Sequence, residues 1–218
     1  MDNTLTPIET TTQHIKQAGL VAILRGAYTI DDMLRIGDAL LAGTVTIFEI
    51  TLNSPFALPA IPKLRAHFAG RMLVGAGTVR NASLARRAID AGAQFTVAPN
   101  FDSETVAVAH SQGILHIPGI FTATEVQIAF TAGSRLLKLF PMADDGPAYL
   151  KALRGPFDDV DFFTTGGISL DNIANFARAG AAAVGLGASL VASPQTPAAD
   201  ITSRARALRQ AWDTARNA

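Results

Sequence analysis

The sequence predicts a (β/α)8 barrel, and three observations carry that expectation. Short apolar segments and amphipathic segments alternate about eight times, with a period of roughly 20–25 residues. The apolar segments are nearly continuous rather than alternating, as strands covered on both faces of a parallel sheet are. The amphipathic segments tend to stop at Ala-Gly or a lone Gly, as at Ala42-Gly43, Ala91-Gly92, Ala132-Gly133 and Ala179-Gly180, where glycine supplies a left-handed cap before the next strand. An open doubly wound sheet is the alternative. Its first strand–helix turn carries G-x-G-x-x-G, and here that turn reads Leu24-Arg25-Gly26-Ala27.

The elements follow in order. Residues 1–12 read as a polar, loosely ordered lead-in, and Ile15 to Ala18 close a short N-terminal helix. Leu20 to Leu24 is the first strand. Asp31 to Ala42 has helical spacing in Met33, Ile36, Leu40 and Leu41. Val45 to Ile50 is β-branched and ends near Asn53-Ser54-Pro55. Ala57 to Phe68 is helical, Met72 to Ala76 a strand, and Ser83 to Ala91 a helix. Gln94 to Ala98 is a strand, Ser103 to Gln112 a helix, and Ile114 to Ile117 a strand ending at Pro118-Gly119. Thr124 to Ala132 is a helix, and Arg135 to Phe140 is the sixth strand. Pro147 to Leu153, Val160 to Phe163, Ser169 to Ala179 and Ala182 to Gly185 complete the alternation, followed by a long helix over Ala199 to Ala215. No linker or low-complexity stretch interrupts residues 1–218, so one domain is expected.

Composition narrows the function. The chain has 218 residues, 49% hydrophobic and 17% charged, with 18 basic and 18 acidic residues. That balance leaves no electrostatic footprint for nucleic acid or an anionic membrane. No apolar run reaches the roughly 18 residues that span a bilayer, and the first twenty residues lack the apolar core of a secretory signal. There is no cysteine, which excludes disulfides and thiolate chemistry. A cytoplasmic enzyme is the expectation. His14, His67, His110 and His116 show no paired metal-ligand spacing, so no metal site and no cofactor is expected.

In such a barrel the chemistry sits at the C-terminal ends of the strands. Lys138 stands inside the apolar run Leu136-Leu137-Lys138-Leu139-Phe140. A buried ammonium without a partner is costly, so the amine lowers its pKa and becomes a nucleophile toward carbonyls. The other reading is a lysine that snorkels from the strand or pairs with a carboxylate. Glu49, between Phe48 and Ile50, is either a structural partner of Lys138 or Arg25 or a carboxyl raised by desolvation toward proton transfer near neutral pH. Two glycine-rich turns, Thr165-Gly166-Gly167-Ile168-Ser169 and Gly185-Leu186-Gly187-Ala188-Ser189, follow the seventh and eighth strands, the usual phosphate site of this fold. Gly166, Gly167, Gly187, Ala188 and Ser189 are the candidate anion contacts. Gly75-Ala76-Gly77-Thr78 lets backbone approach a ligand or serves packing. Arg25 suits a carboxylate, and Pro99 and Phe140 suit the wall of a small apolar pocket.

These residues resemble a known family. Phe48-Glu49-Ile50-Thr51-Leu52, Val74-Gly75-Ala76-Gly77-Thr78-Val79, Ile117-Pro118-Gly119, Leu137-Lys138-Leu139-Phe140-Pro141 and Thr165-Gly166-Gly167-Ile168 are similar, in the same order, to segments of the 2-keto-3-deoxy-6-phosphogluconate/phosphogalactonate aldolases. The resemblance covers residues 15 to 192. It implies a homotrimeric class I aldolase that needs no metal, with Lys138 as the Schiff-base lysine and Glu49 as the general acid/base. It implies that the two glycine loops bind a 6-phosphate and that Arg25, Thr78, Pro99 and Phe140 line the pyruvyl end.

Ile23-Leu24-Arg25-Gly26, Leu52-Asn53-Ser54-Pro55, Ala98-Pro99-Asn100 and the run from Gly146 to Lys151 resemble the phosphogalactonate branch, in which Asn53 stands where gluconate-type members tend to have arginine. Thr51 and the stretch from Gly155 to Ser169 resemble the gluconate type. The phosphogalactonate branch is favoured, with Thr51 and Asn53 carrying the choice at C4. A different phosphate-binding barrel enzyme and a non-catalytic sugar-phosphate sensor remain open as other classes.

Overall fold

The computed structural model describes residues 5–142 and 146–217. Its strands are β1 (Leu20–Leu24), β2 (Ile47–Thr51), β3 (Leu73–Gly77), β4 (Phe95–Val97), β5 (Leu115–Ile117), β6 (Gly119–Ile120), β7 (Leu136–Leu139), β8 (Asp161–Thr165) and β9 (Ala183–Leu186). All pair in parallel, in the order β5-β4-β3-β2-β1-β9-β8-β7-β6. The two ends of that order are halves of one stave. The chain breaks at Pro118, which has no N–H to continue a ladder. β5 pairs with β4 below the break, and β6 pairs with β7 above it. Eight staves therefore close into the predicted barrel, with the fifth kinked.

Side-chain alternation separates two apolar layers. Val21, Ile47, Leu73, Phe95, Val97, Leu115, Ile117, Leu136, Phe163 and Ala183 form an inner cluster. Their strand neighbours, such as Ala22, Phe48, Val74, Leu137 and Phe162, pack outward under the helices. By the same phase, residues 49 and 51 of β2, 75 and 77 of β3, 138 of β7, 165 of β8 and 185 of β9 face inward. Two of the inward positions form a tight layer through missing side chains. A Cβ on Gly75 would lie 2.6 Å from Phe95 Cδ1, and one on Gly185 would lie 2.6 Å from Ile23 Cδ1 and from Thr165 Cγ2.

The helices are α1 (Pro7–Ala18), α2 (Ile30–Ala42), α3 (Ala57–Phe68), α4 (Ala82–Asp90), α5 (Ser103–Ser111), α6 (Ala123–Thr131), α7 (Gly146–Arg154), α8 (Ile173–Arg178) and α9 (Ala198–Arg216). The first corrects the expectation of a loose lead-in: residues 7–12 are helical. Thr6 and Glu9 form a reciprocal capping box, and Pro7 occupies the first turn where its missing N–H costs nothing. Ile15 of α1 is fully buried in the inner cluster, with Ile8 and Ala18 packed against it.

The glycine stops hold at Gly92, Gly133 and Gly180, whose φ angles are 92°, 92° and 86°. They fail at Gly43, where φ is −93° and Thr44 takes the left-handed conformation instead. A Cβ on Gly43 would lie 3.0 Å from the Thr202 carbonyl and overlap Ala205, so this glycine serves the contact of α2 with α9. The helix expected over Ser169 to Ala179 is also shorter. Ser169 N–H donates to Asn172 Oδ1 at 2.9 Å, holding a turn, and regular helix begins at Ile173.

Candidate active site

A cavity of about 530 Å³ opens where β1, β7, β8 and β9 end. Lys138, Phe140 and Arg25 line it together with Gly166, Gly167, Gly187, Ala188 and Ser189. The structure thus brings together eight of the residues singled out from the sequence. Thr78, Pro99, Thr51 and Asn53 do not line it, and neither does Glu49.

Lys138 is only 4% exposed. Its strand places it at the inward phase, and its N–H is fixed by the Pro118 carbonyl at 2.8 Å, from the kink in the fifth stave. Its amine lies 5.2 Å from the Phe140 ring centroid. Burial holds this amine below its ordinary value. The neighbouring Glu49 charge opposes the shift, and the Arg25 charge adds to it. The result is an amine more readily deprotonated than a surface lysine.

Glu49 is fully buried on β2, in register with Ile23 and Gly75. Among the described residues neither carboxylate oxygen has a hydrogen-bond partner. Burial pushes the carboxyl up, and the Lys138 and Arg25 charges pull it partly back. A carboxyl in this state exchanges protons nearer neutrality than a solvated one.

The two loops border the cavity with open backbone. Gly166 and Gly167 adopt φ of 106° and 68° against the Met142 backbone. Among the described residues, the N–H groups of Gly166, Gly167, Ala188 and Ser189 donate to no backbone acceptor. Successive unpaired N–H groups in such turns make a concave anion site. Exposed Arg25 borders the same cavity and adds positive charge.

Sequence reasoning missed Tyr28 and passed over Thr165 and Ser169 as site residues, although all three line the cavity. Tyr28 is 4% exposed, and its phenol is raised by burial and by the Asp32 charge, so it stays a donor. Thr165 Oγ1 is buried without a partner among the described residues. Its position directly before Gly166-Gly167 was the available signal.

Thr51 and Asn53 sit elsewhere. Thr51 is fully buried, with its hydroxyl 3.1 Å from Ser54 Oγ, and Ser54 Oγ accepts the Gly26 N–H at 3.0 Å. Asn53 is exposed. Half-buried Pro99 packs its carbonyl group against Gly119. Half-buried Thr78 has φ of 60°, an outlier for a β-branched residue, directly after Gly77. Among the described residues no three His, Asp or Glu converge as a metal set, and no helix is long and apolar enough to cross a membrane.

Comparison with known proteins gives this geometry its context. The family model for KDPG and KHG aldolase matches residues 11–204. The 2-dehydro-3-deoxy-6-phosphogalactonate aldolase of Escherichia coli K12 is 36% identical over 178 residues, covering 81% of this chain and 86% of its own. The 2-dehydro-3-deoxy-phosphogluconate aldolase of Pseudomonas aeruginosa is 41% identical over 155 residues, covering 68% and 69%. Among solved structures, the KDPG aldolase of Legionella pneumophila, with pyruvate captured as a covalent carbinolamine, superposes with a TM-score of 0.84 at 29% identity, covering 90% and 97%. The chain belongs to the KDPG and KHG aldolase family and is a class I aldolase, a carbon–carbon lyase.

Proposed function

We propose that this enzyme cleaves 2-keto-3-deoxy-6-phosphogalactonate to pyruvate and glyceraldehyde 3-phosphate through a Schiff base on Lys138. The observation that carries this reading is the placement of Lys138: buried, inward, with a lowered pKa, in one cavity with Arg25 and both glycine loops. The amine attacks the C2 ketone, and Glu49 gives its proton to the carbinolamine hydroxyl, which leaves as water to give an iminium and a Glu49 carboxylate. Glu49 takes the C4 hydroxyl proton as the C3–C4 bond breaks, and the iminium accepts the electron pair. Glu49 then returns a proton to C3 of the enamine, and hydrolysis frees pyruvate and Lys138. Arg25 holds the carboxylate end and Phe140 bounds it, while Thr78 and Pro99, which do not line the cavity, are assigned to that end on family resemblance. The phosphate on the N–H groups of Gly166, Gly167, Gly187, Ala188 and Ser189 supplies remote binding energy that positions the bond.

The higher identity to a phosphogluconate aldolase, 41% over 155 residues, favours a second reading, the same reaction on the C4 epimer. We assign the choice at C4 to Thr51 and Asn53. Thr51 would act through Ser54 and the Arg25 turn. kcat/KM for the two epimers decides between them, and equal values define a dual-specificity enzyme. Sodium borohydride with pyruvate tests the chemistry: an irreversible adduct at Lys138 is expected, and its absence overturns the assignment.

We assign a homotrimer and a cytoplasmic location on family resemblance. Exposed Phe121 and Ile128 on and beside α6 provide apolar surface for subunit contact. Light scattering at micromolar concentration checks the trimer.

A further inference from the structure

Gly77 is not glycine for the sake of its backbone. It ends β3 with a backbone outside the left-handed region, so alanine is conformationally allowed there. What a side chain would meet is Glu49. A Cβ built on Gly77 overlaps Oε1, lies 2.6 Å from Cδ and 2.8 Å from Cγ, and the three nearest atoms all belong to that one side chain. Real Cβ contacts do not come this close, so one of the two groups must move. β3 is paired on both sides and Gly77 is paired with Thr51 of β2, which leaves the carboxylate as the part that yields. Gly75, two residues earlier, makes room for the Phe95 ring instead. One inward glycine thus serves packing, and the other serves a carboxyl that accepts no hydrogen bond among the described residues.

We infer that Gly77 is a positioning residue: its missing side chain is the slot that holds the Glu49 carboxyl at the proton-transfer position. Nothing else among the described residues fixes that carboxyl by hydrogen bond or ion pair, so shape must do it. The inference rests on the acid/base assignment of Glu49 made above. Displacing the carboxyl by a methyl group would leave Lys138 and the cavity walls intact while misplacing the proton donor, and misplacement of about 1 Å costs about 100-fold in rate.

Two readouts with pyruvate separate positioning from general damage. Borohydride trapping reports Lys138 and the fold. Exchange of the pyruvate methyl protons with deuterated solvent reports proton transfer at C3 of the enamine. Gly77→Ala is expected to give native extents of trapped adduct at equilibrium with exchange and kcat slowed about 100-fold and KM within about threefold. Adding Glu49→Asp, which removes the worst overlap, should raise exchange in the Gly77→Ala background while lowering it in the native one. Native exchange in Gly77→Ala, or equal losses from Glu49→Asp in both backgrounds, overturns the inference. If Gly77→Ala does not fold, recovery of folding in the double variant supports the same clash, and failure of both overturns it. Glu49→Gln alone tests the underlying assignment without touching Gly77: native exchange there removes the acid/base role itself.

Discussion

Glu49 and Lys138 face one another from opposite staves of the barrel, β2 and β7, with three staves between them in either direction. Both are buried, and among the described residues no ion pair or hydrogen bond joins them. Each is held away from its ordinary charge state mainly by burial. A directly bonded pair would lock both charges in place. Here neither charge is locked by the other.

Replacing Lys138 by methionine tests the cost of that arrangement. Its folded pKa lies below the unfolded value of 10.5. Such a group contributes stability only above 10.5, and that contribution is lost as pH falls through the folded pKa. Near pH 7 the native enzyme therefore carries a desolvation penalty that Lys138→Met removes. Cleavage should fall by at least about 10³-fold, while the unfolding midpoint at pH 7 rises by about 2–4 °C for each 1 kcal/mol relieved. The midpoint difference should shrink as pH approaches 10.5. Calorimetry at both pH values checks the sign.

Glu49→Gln shows the opposite pH sign. Its folded pKa is raised above 4.5, so its contribution to stability is complete below 4.5 and is lost as pH rises through the folded value. Glutamine is neutral throughout, so the variant gains stability relative to the native enzyme as pH rises from 4.5. Turnover falls by about 10²–10⁴-fold because the proton relay is gone. Unfolding curves measured at several pH values, paired with kcat, check both parts.

The barrel was legible because its strands are buried on both faces and its helices stop at glycine, both local properties of the chain. Lys138 was legible because a charge inside an apolar run has few explanations. The helical start of α1 was signalled by Thr6 and Glu9 at capping-box spacing but obscured by the threonine-rich segment Thr10-Thr11-Thr12. Gly43 was misread as a left-handed cap, and Gly77 was left open between ligand approach and packing, for one shared reason. Each is glycine because of a side chain far away in sequence, Glu49 and Ala205 respectively, and no periodicity encodes such contacts. Tyr28 enters the cavity through the turn after β1, a path that spacing alone does not reveal. The hydroxyl link from Thr51 to Ser54 is likewise a matter of how the loop after β2 folds back.

That link predicts a binding defect. Ser54 Oγ accepts the Gly26 N–H at 3.0 Å and lies 3.1 Å from Thr51 Oγ1, so it ties the Arg25-bearing turn to the end of β2. Ser54→Ala leaves a backbone N–H and a buried hydroxyl without partners. The expected cost is about 1–3 kcal/mol of stability. Because Gly26 follows Arg25 directly, KM should rise severalfold while kcat changes little. Equal losses in both constants would mean that the link serves the chemistry rather than substrate capture.

His116 predicts how the enzyme meets acid. It lies on β5, 1% exposed, with Nδ1 2.9 Å from Thr96 Oγ1 and Nε2 without a partner among the described residues. Its pKa falls from 6.5 to about 4, chiefly through burial and also through the nearby His110, with Asp102 partly opposing. The unfolded chain therefore takes up a proton between pH 6.5 and 4 that the native barrel refuses. Its contribution is intact above 6.5 and is lost as pH falls toward 4. That window amounts to about 3 kcal/mol, at 1.36 kcal/mol per unit. His116→Gln removes the titration and should flatten the stability profile between pH 6.5 and 4, at the cost of a lower plateau above 6.5 from imperfect packing. Urea unfolding at half-unit pH steps measures the slope. An unchanged slope in the variant would place the acid sensitivity in another group.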